Sequence, residues 1–241
     1  MPLRGEISTP AGKQRYVRRL FATIADRYDF ITVFLSYGQD RRWKRRLIAL
    51  ARIAPDDAVL DVACGTGDLL FAAGGARRTV GLDVTIRMLQ LARTRAATRA
   101  PLLVQGDMQS LPFASERFTV VTTGYGLRNV PDLAAALAEL HRVIAPGGRL
   151  LSLDFNRPAS RVVRAVYHAY LTLVGATLGL ALHGDPDTYR YIPESIRLYP
   201  GAAGVADMMR TAGFTDVRVI PLLGGLMAIH VTTRPPSLVG I

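Results

Sequence analysis

Short apolar runs alternate with helix-like segments through the middle of the chain. Each run has the length and composition of a buried strand, and the runs are Val59–Ala63, Thr79–Leu82, Leu102–Gln105, Phe118–Thr123 and Arg149–Asp154. Amphipathic spacing between them predicts helices from Asp68 onward, over Arg87–Thr98 and over Leu133–Ile144. This alternation predicts a parallel sheet with helices on both faces.

The two ends of the chain depart from the alternation. Residues 14 to 51 have helical spacing with a break at Ser36-Tyr37-Gly38, and Pro146-Gly147-Gly148 predicts a turn before the fifth strand. After a helix over Val205–Ala212, two strands at Asp216–Pro221 and Leu226–Thr232 predict an antiparallel hairpin at one sheet edge. The predicted fold class is α/β: a Rossmann-like, mostly parallel, seven-stranded sheet with a C-terminal antiparallel hairpin.

The length of 241 residues predicts one domain with a full core. Within it we expect an N-terminal helical segment (1–50) facing substrate or membrane and a cofactor-binding core (51–156). Residues 157–241 are expected to supply substrate-side helices and the closing hairpin.

A glycine turn follows the first predicted strand and carries the strongest chemical signal. Asp61 precedes the turn Gly65-Thr66-Gly67, and the second strand ends at Asp83. Glycines allow the backbone to approach a nucleotide, and the second acid can accept both ribose hydroxyls. A dinucleotide site would need Gly or Ala at position 70, where this chain has Leu70. The turn therefore fits a nucleoside without a pyrophosphate, and Asp61 fits a cationic ligand. S-adenosylmethionine has both properties.

The formal charge of +11 is nearly all arginine and favours anionic partners, either membrane headgroups, nucleic acid or acidic metabolites. A merely solvated basic surface is the alternative. Two segments are candidates for membrane contact: the basic run Arg41–Arg46 around Trp43, and the uncharged stretch Ala165–Leu182. The second is near the lower length limit of a membrane span, and we interpret it as a buried or interfacial helix.

Cysteine and histidine usage sets further expectations. The single cysteine, Cys64, excludes an internal disulfide and favours a reducing, cytoplasmic compartment. Residues 1–10 lack the apolar core of a signal peptide. His168, His183 and His230 have no metal-ligand spacing, so no metal is expected.

The turn at Asp61–Gly67, with Asp83 and Asp107, resembles the class I S-adenosylmethionine-dependent methyltransferases. Further stretches are similar to the demethylmenaquinone and ubiquinone C-methyltransferases over residues 16 to 234, and they are Ala25–Asp29 with Leu35–Gly38 and Asp40–Lys44, Gly126–Asp132, Arg142–Gly148 and Tyr189–Ile196. The chain departs from that family's pattern at Thr32, Cys64 and Gly124, and from the pattern of the wider methyltransferase superfamily at Thr119. The resemblance implies methylation of a ring carbon in a prenylated hydroquinol.

The predicted cofactor residues are those at the carboxyl ends of the strands, namely Asp61, Gly65, Thr66, Gly67, Asp83, Asp107, Met108 and Gly124. Asp83 would accept from the ribose, and its alternative is a helix cap. Thr66 would bind the amino-acid part of the cofactor. Asp107 would accept from the adenine amino group beside the Met108 amide, or else cap a loop.

The predicted catalytic residues are Arg128 and Asn129, which follow the fourth strand. A guanidinium stays protonated, so Arg128 could stabilise an aryl-oxide or orient a water, but it cannot easily act as a base. The alternative is a salt bridge to Asp132 or a backbone clamp. Three tyrosines could enclose the substrate ring or serve as ordinary packing residues, and they are Tyr28, Tyr189 and Tyr191.

Three other functions remain open at this stage. The chain could methylate another apolar small molecule, modify or bind RNA, or act as a silent binding module. Aromatic residues make up only 7% of the chain and no RNA-binding module surrounds the basic residues, so we expect no nucleic-acid partner. We expect transient contact with the inner face of a membrane. The sequence decides neither whether the chain forms a homo-oligomer nor whether the acceptor is a naphthoquinol or a benzoquinol.

Overall fold

A single mixed sheet organises the protein in the computed structural model, which describes residues 3–96 and 101–237. The strand order is β3-β2-β1-β4-β5-β7-β6, and the strands are β1 Ala58–Val62, β2 Arg78–Asp83, β3 Leu102–Gln105, β4 Phe118–Gly124, β5 Ile144–Phe155, β6 Thr215–Leu222 and β7 Met227–Thr233. Strands β1 to β5 pair in parallel, whereas β7 runs antiparallel to both β5 and β6. The predicted fold class is confirmed.

Helices cover both faces of the sheet, and they are α1 Leu3–Glu6, α2 Pro10–Ile24, α3 Tyr28–Leu35, α4 Asp40–Ala51, α5 Asp68–Ala72, α6 Ile86–Arg95, α7 Leu133–Val143, α8 Arg161–His183, α9 Tyr191–Leu198 and α10 Gly201–Thr211. Side-chain oxygens cap three of them, because Thr9, Asp132 and Ser160 accept from the first-turn amides of α2, α7 and α8. The predicted helical break at residues 36–38 separates α3 from α4. Positions 97 and 98, predicted at the end of α6, lie outside the described residues.

The core has two main layers because successive residues of a strand face opposite sides of the sheet. Leu60 of β1 packs in the layer that contains α7 and α10, and Val59 packs in the layer that contains α4. All five residues of β1 are buried, as expected for a central parallel strand.

Trp43 belongs to this core rather than to a membrane surface. It is 6% exposed and, with Leu47 and Ala51, forms the face of α4 that packs on the sheet. The expectation that Trp43 centres a membrane-binding basic run is therefore wrong, since spacing of four residues places these apolar side chains on one buried stripe. The arginines at 41, 42, 45 and 46 remain exposed on the other face.

The predicted turn Pro146-Gly147-Gly148 is part of β5 rather than a separate loop. Phe118 pairs with Ile144 and Val120 with Arg149, so the extra residues of β5 form a bulge. Gly147 has φ +77°, and two backbone hydrogen bonds join Gly147 and Gly148 to Arg234. The turn prediction is corrected because pairing with the chain after β7 continues the ladder through these residues.

Candidate active site

A first cavity lies at the carboxyl ends of the parallel strands and has a volume of about 700 Å³. It brings together most of the predicted cofactor residues, and these are Gly65, Asp83, Asp107, Met108 and Gly124. Helix α2 belongs to the N-terminal segment expected to face substrate or membrane, yet it also supplies Gln14, Val17, Arg18 and Phe21 to this first cavity.

Asp83 is held at the edge of the first cavity by two backbone amides. Gly65 N–H donates to Oδ2 at 2.9 Å and Thr85 N–H donates to Oδ1 at 2.8 Å. Burial raises the pKa of this carboxyl, and the two amides oppose that rise. Thr85, not Asp83, occupies the N-cap position of α6. The remaining lone pairs of a carboxylate suit the two hydroxyls of a ribose.

Asp107 connects the first cavity to helix α2. Its Oδ2 accepts from Gln14 Nε2 at 2.5 Å and lies 3.8 Å from the Arg18 guanidinium. Its Oδ1 accepts from the Gln109 amide at 2.9 Å, which resembles a loop cap. Asp107 therefore lines the cavity, as predicted, and also caps a loop, which was the alternative. Met108 beside it is buried.

A side pocket of about 320 Å³ adjoins the first cavity and contains Asp61 and Thr66 together with Lys44 and Asp68. Lys44 Nζ lies 2.7 Å from Asp40 and 2.8 Å from Asp68. Thr66 donates its hydroxyl proton to Asp29 at 2.6 Å and accepts from Arg95 at 2.8 Å. The pocket therefore holds charges of both signs.

Gly67 lines neither the two main cavities nor the side pocket. It precedes α5 with φ +93°, a conformation that favours glycine, and the Phe71 ring lies where a Cβ would be. Its observed role is to shape the turn, while its predicted cofactor contact stays a prediction.

Asp61 is the titratable group of the side pocket. It is 1% exposed and accepts from the Thr122 hydroxyl at 2.7 Å. Burial raises the pKa of Asp61 to about 7, although the Thr122 hydrogen bond and the Lys44 charge lower it. The carboxyl therefore changes charge near neutral pH before a cationic ligand arrives.

This titration predicts that both the stability of the free protein and its affinity for a cationic ligand depend on pH. Because the folded pKa is raised, Asp61 stabilises the fold fully below its unfolded pKa, and that stabilisation is lost as pH rises from about 4 to about 7. A cationic ligand prefers the ionised carboxylate, so its affinity should increase over the upper part of this range. Calorimetry and melting curves between about pH 4 and 8 measure both trends, and Asp61→Asn should remove both. Identical trends in the variant would assign them to another group.

A second cavity of about 710 Å³ has an aromatic and aliphatic lining. All three predicted substrate tyrosines, Tyr28, Tyr189 and Tyr191, line it together with Arg128 and Asn129. The Tyr189 hydroxyl is hydrogen-bonded to His183 Nε2 at 2.9 Å. The buried Tyr191 hydroxyl has no hydrogen-bond partner among residues 3–96 and 101–237. Thr32, one of the departures from the family pattern, also lines this cavity.

Arg128 provides the buried positive charge of the second cavity. Its Nε lies 3.4 Å from Asp154, whose other oxygen accepts from the Arg128 amide at 3.0 Å. Its Nη1 donates to the Ser195 hydroxyl, and the guanidinium lies 5.0 Å from the centre of the Phe155 ring. The suggested salt bridge to Asp132 is wrong, because Asp132 caps α7. Sequence reasoning missed Asp154 and Ser195, which are far from Arg128 along the chain.

A wall of four side chains separates the two main cavities and lines both: Phe21, Tyr28, Tyr125 and Asn129. Asn129 Nδ2 donates to the Tyr125 carbonyl at 2.7 Å, and its buried Oδ1 has no partner in the described part of the chain. Tyr125 donates its hydroxyl proton to Asp40 at 2.6 Å. Sequence reasoning missed Tyr125, although its place between Gly124 and Gly126 after a strand was a usable signal.

Strained backbone marks the strand ends at this wall. Ala63 after β1 has φ +55° and Tyr125 after β4 has φ +61°, values that residues other than glycine rarely adopt. Such conformations cluster at ligand sites. Both residues line the first cavity and the side pocket.

A model of the ubiE/COQ5 methyltransferase family matches residues 9–234. The chain belongs to the ubiE/COQ5 methyltransferase family. It is 41% identical over 222 residues to a demethylmenaquinone methyltransferase of Mycobacterium sp. (strain KMS), covering 91% of this chain and 94% of that protein. A ubiquinone/menaquinone biosynthesis C-methyltransferase of Teredinibacter turnerae is 37% identical, covering 95% of each chain. As a ubiE/COQ5 methyltransferase, the protein uses S-adenosylmethionine as its methyl donor.

Solved structures with the same fold have low sequence identity to this ubiE/COQ5 methyltransferase. A SAM-dependent methyltransferase of Thermotoga maritima superposes with a TM-score of 0.65 at 18% identity, covering 90% of this chain and 99% of that one. A methyltransferase of Methanococcus maripaludis gives 0.62 at 17% identity, covering 91% and 95%. These similarities support the class I methyltransferase fold. No group of three His, Cys, Asp or Glu side chains suited to a metal occurs among the described residues.

Proposed function

We propose that this methyltransferase adds a methyl group to a ring carbon of a prenylated hydroquinol, demethylmenaquinol or its benzoquinol counterpart. The observation that carries the proposal is the pair of adjacent cavities that share Phe21, Tyr28, Tyr125 and Asn129. The names of the curated relatives support a quinol acceptor.

The residues around the first cavity and the side pocket fit the methyl donor. Asp83 would hold the ribose, and Asp107 with Met108 would hold the adenine. In the side pocket, Asp61 suits the ammonium group, and Lys44, with one donor left after Asp40 and Asp68, suits the carboxylate. When bound, S-adenosylmethionine supplies an electrophilic methyl group.

The second cavity fits an electron-rich aromatic acceptor. A hydroquinol with one ionised hydroxyl develops nucleophilic character at the neighbouring ring carbon, and transfer forms the new carbon–carbon bond as the sulfur–carbon bond breaks. The ring proton then leaves. Arg128 would stabilise the aryl-oxide, because a fixed charge in a site shielded from water is more effective than one in bulk water. The unpartnered Oδ1 of Asn129 would orient the hydroxyl group or a water that receives the proton.

A polyprenyl acceptor resides in a bilayer, so the proposal includes transient membrane contact. One helix of the described residues, α8, is long and apolar enough to cross a membrane, and only 22% of its apolar window is buried. Its other face packs on the protein through Tyr167 and Leu171. We therefore propose a peripheral association rather than a span.

An acceptor panel tests the proposed function. The protein is incubated with S-adenosylmethionine and reduced demethylated naphthoquinones and benzoquinones, and products are identified by mass and fragmentation. We expect a methyl group on a ring carbon of the reduced forms, with oxidised quinones unmodified because they are electron-poor. The panel includes a polyketide-like phenol and RNA as competing acceptors. Methylation of either in place of the quinols would contradict the proposal.

A further inference from the structure

An arginine-lined cleft lies at the start of α8, outside the two main cavities and the side pocket. Its volume is about 930 Å³, and its basic side chains are Arg157, Arg161, Arg164, His168 and Arg197. Arg197 pairs with Glu194 at 3.0 Å. Within residues 3–96 and 101–237, no carboxylate forms an ion pair with the other three guanidinium groups. The cleft therefore carries positive charge that the described protein does not neutralise.

An apolar stripe runs along α8 next to this cleft. Val162, Val166, Leu173 and Leu180 are 73%, 65%, 71% and 61% exposed, and their spacing places them on one helix face. No charged residue occurs between positions 165 and 182. Arg161 lies at one edge of the stripe, about 100° around the helix from Val162. Arg164 and His168 lie farther around the helix, where the cleft is closed by α9. An exposed apolar face with a basic edge is typical of helices that lie in a membrane interface.

The other edge of the stripe continues into α3. Tyr170 of α8 stacks on Tyr37 at a ring-centre distance of 5.8 Å. Helix α3 exposes Phe30 and Phe34, at 57% and 47%, while the neighbouring face supplies Ile31 and Leu35 to the second cavity. The exposed apolar surface and the cavity lining are therefore adjacent faces of the same helix.

We propose that the cleft binds the phosphate groups of anionic phospholipids and that the apolar face of α8 and α3 enters the bilayer interface. The charge of the unpaired guanidinium groups complements such headgroups, and guanidinium groups bind phosphate through paired hydrogen bonds. Docking in this way places the second cavity beside the bilayer that holds the acceptor. This last consequence rests on the proposed function, but lipid binding itself does not.

Vesicle flotation tests the docking surface. Phosphatidylcholine vesicles with and without phosphatidylglycerol are mixed with the wild type and with the double variant Arg161→Gln/Arg164→Gln. We expect salt-sensitive binding to the anionic vesicles, and a partition coefficient roughly 25-fold lower in the variant, about fivefold for each arginine. Val166→Asp should lower binding at every salt concentration, because it introduces charge into the stripe.

The matched control is Arg41→Gln/Arg42→Gln, which removes the same charge from the exposed face of α4. An equal loss of vesicle binding in both double variants would mean that binding depends only on net charge, and it would overturn the docking site. Unchanged binding in the cleft variant would overturn it as well. Competition by inorganic phosphate without vesicle binding would identify a free phosphate ligand, and cleft-dependent RNA binding without vesicle binding would identify a nucleic acid. Each of these two results would replace the proposal.

A second readout separates docking from the proposed function. The cleft variant should methylate a short-tailed, water-soluble hydroquinol at the wild-type rate and lose transfer only to a long-tailed acceptor embedded in vesicles. A wild type inactive on both acceptors would contradict the proposed function, whereas flotation would still decide the docking proposal.

Discussion

Arg128→Lys should lower kcat by roughly 10- to 1000-fold, the range for losing one positioned electrostatic group. Lysine keeps the positive charge facing Asp154 but loses the planar fork of donors and the stacking on Phe155. Cofactor affinity should stay nearly unchanged, because Arg128 lines the second cavity and not the first. Steady-state kinetics, calorimetry with the cofactor and melting curves measure the three quantities.

Arg142→Lys is the matched control for this substitution, since Arg142 pairs with Glu139 away from both cavities. Its kcat should equal that of the wild type. If Arg128 serves only as a structural clamp, Arg128→Lys would instead lower the melting temperature and the cofactor affinity together. A fully active and stable variant would contradict both interpretations and direct attention to Tyr191 and Asn129.

Asp83→Ala should weaken binding of S-adenosylmethionine by about 1–3 kcal/mol, or roughly 5- to 150-fold, when hydrogen bonds to a charged acceptor are lost. Part of the loss comes from the turn, because the Gly65 and Thr85 amides lose their acceptor. Asp83→Asn retains an acceptor oxygen and should lie between the wild type and the alanine variant. Calorimetry provides the affinities, and NAD should not bind.

Asp132→Ala is the control for Asp83→Ala. Asp132 also accepts from a backbone amide, that of Ala135, but it lines neither cavity. Its loss should lower stability by about 1 kcal/mol, as for a helix cap, and leave cofactor affinity intact. Equal loss of affinity in both variants would mean that Asp83 acts only through stability. Tight NAD binding would refute the proposed cofactor selectivity.

Much of the fold was predictable because local patterns and tertiary structure agree. The buried run at β1 and its glycine turn could only fit a central parallel strand followed by a helix. The errors arise where tertiary pairing decides. Pro146–Gly148 has turn composition, yet hydrogen bonds to Arg234 incorporate it into β5. Trp43 lies within a basic run, yet Trp43, Leu47 and Ala51 repeat every four residues, and this repeat places Trp43 in the core.

The candidate site was predictable where single residues lie at or just after the end of a strand, as Asp83 and Arg128 do. Its pairings were not, because they join residues distant in sequence. Nothing local connects Arg128 with Ser195, or Tyr125 with Asp40. The contribution of α2 to the first cavity was also missed, since its amphipathic pattern shows that one face is buried but not that this cavity lies beneath it.

Helix α2 is shared by the two main cavities, which has a thermodynamic consequence for the two ligands. Its residues line both main cavities, with Val17 on the first, Leu20 on the second and Phe21 on both, and Lys13 anchors it to the carbonyls of Arg128 and Val130. Two ligands that favour the same position of one helix raise each other's affinity by the same factor. Donor and acceptor should therefore bind cooperatively. After transfer, the demethylated donor would be retained most strongly when quinol also occupies the second cavity. A high quinol concentration should therefore slow the release of the demethylated donor, and with it turnover.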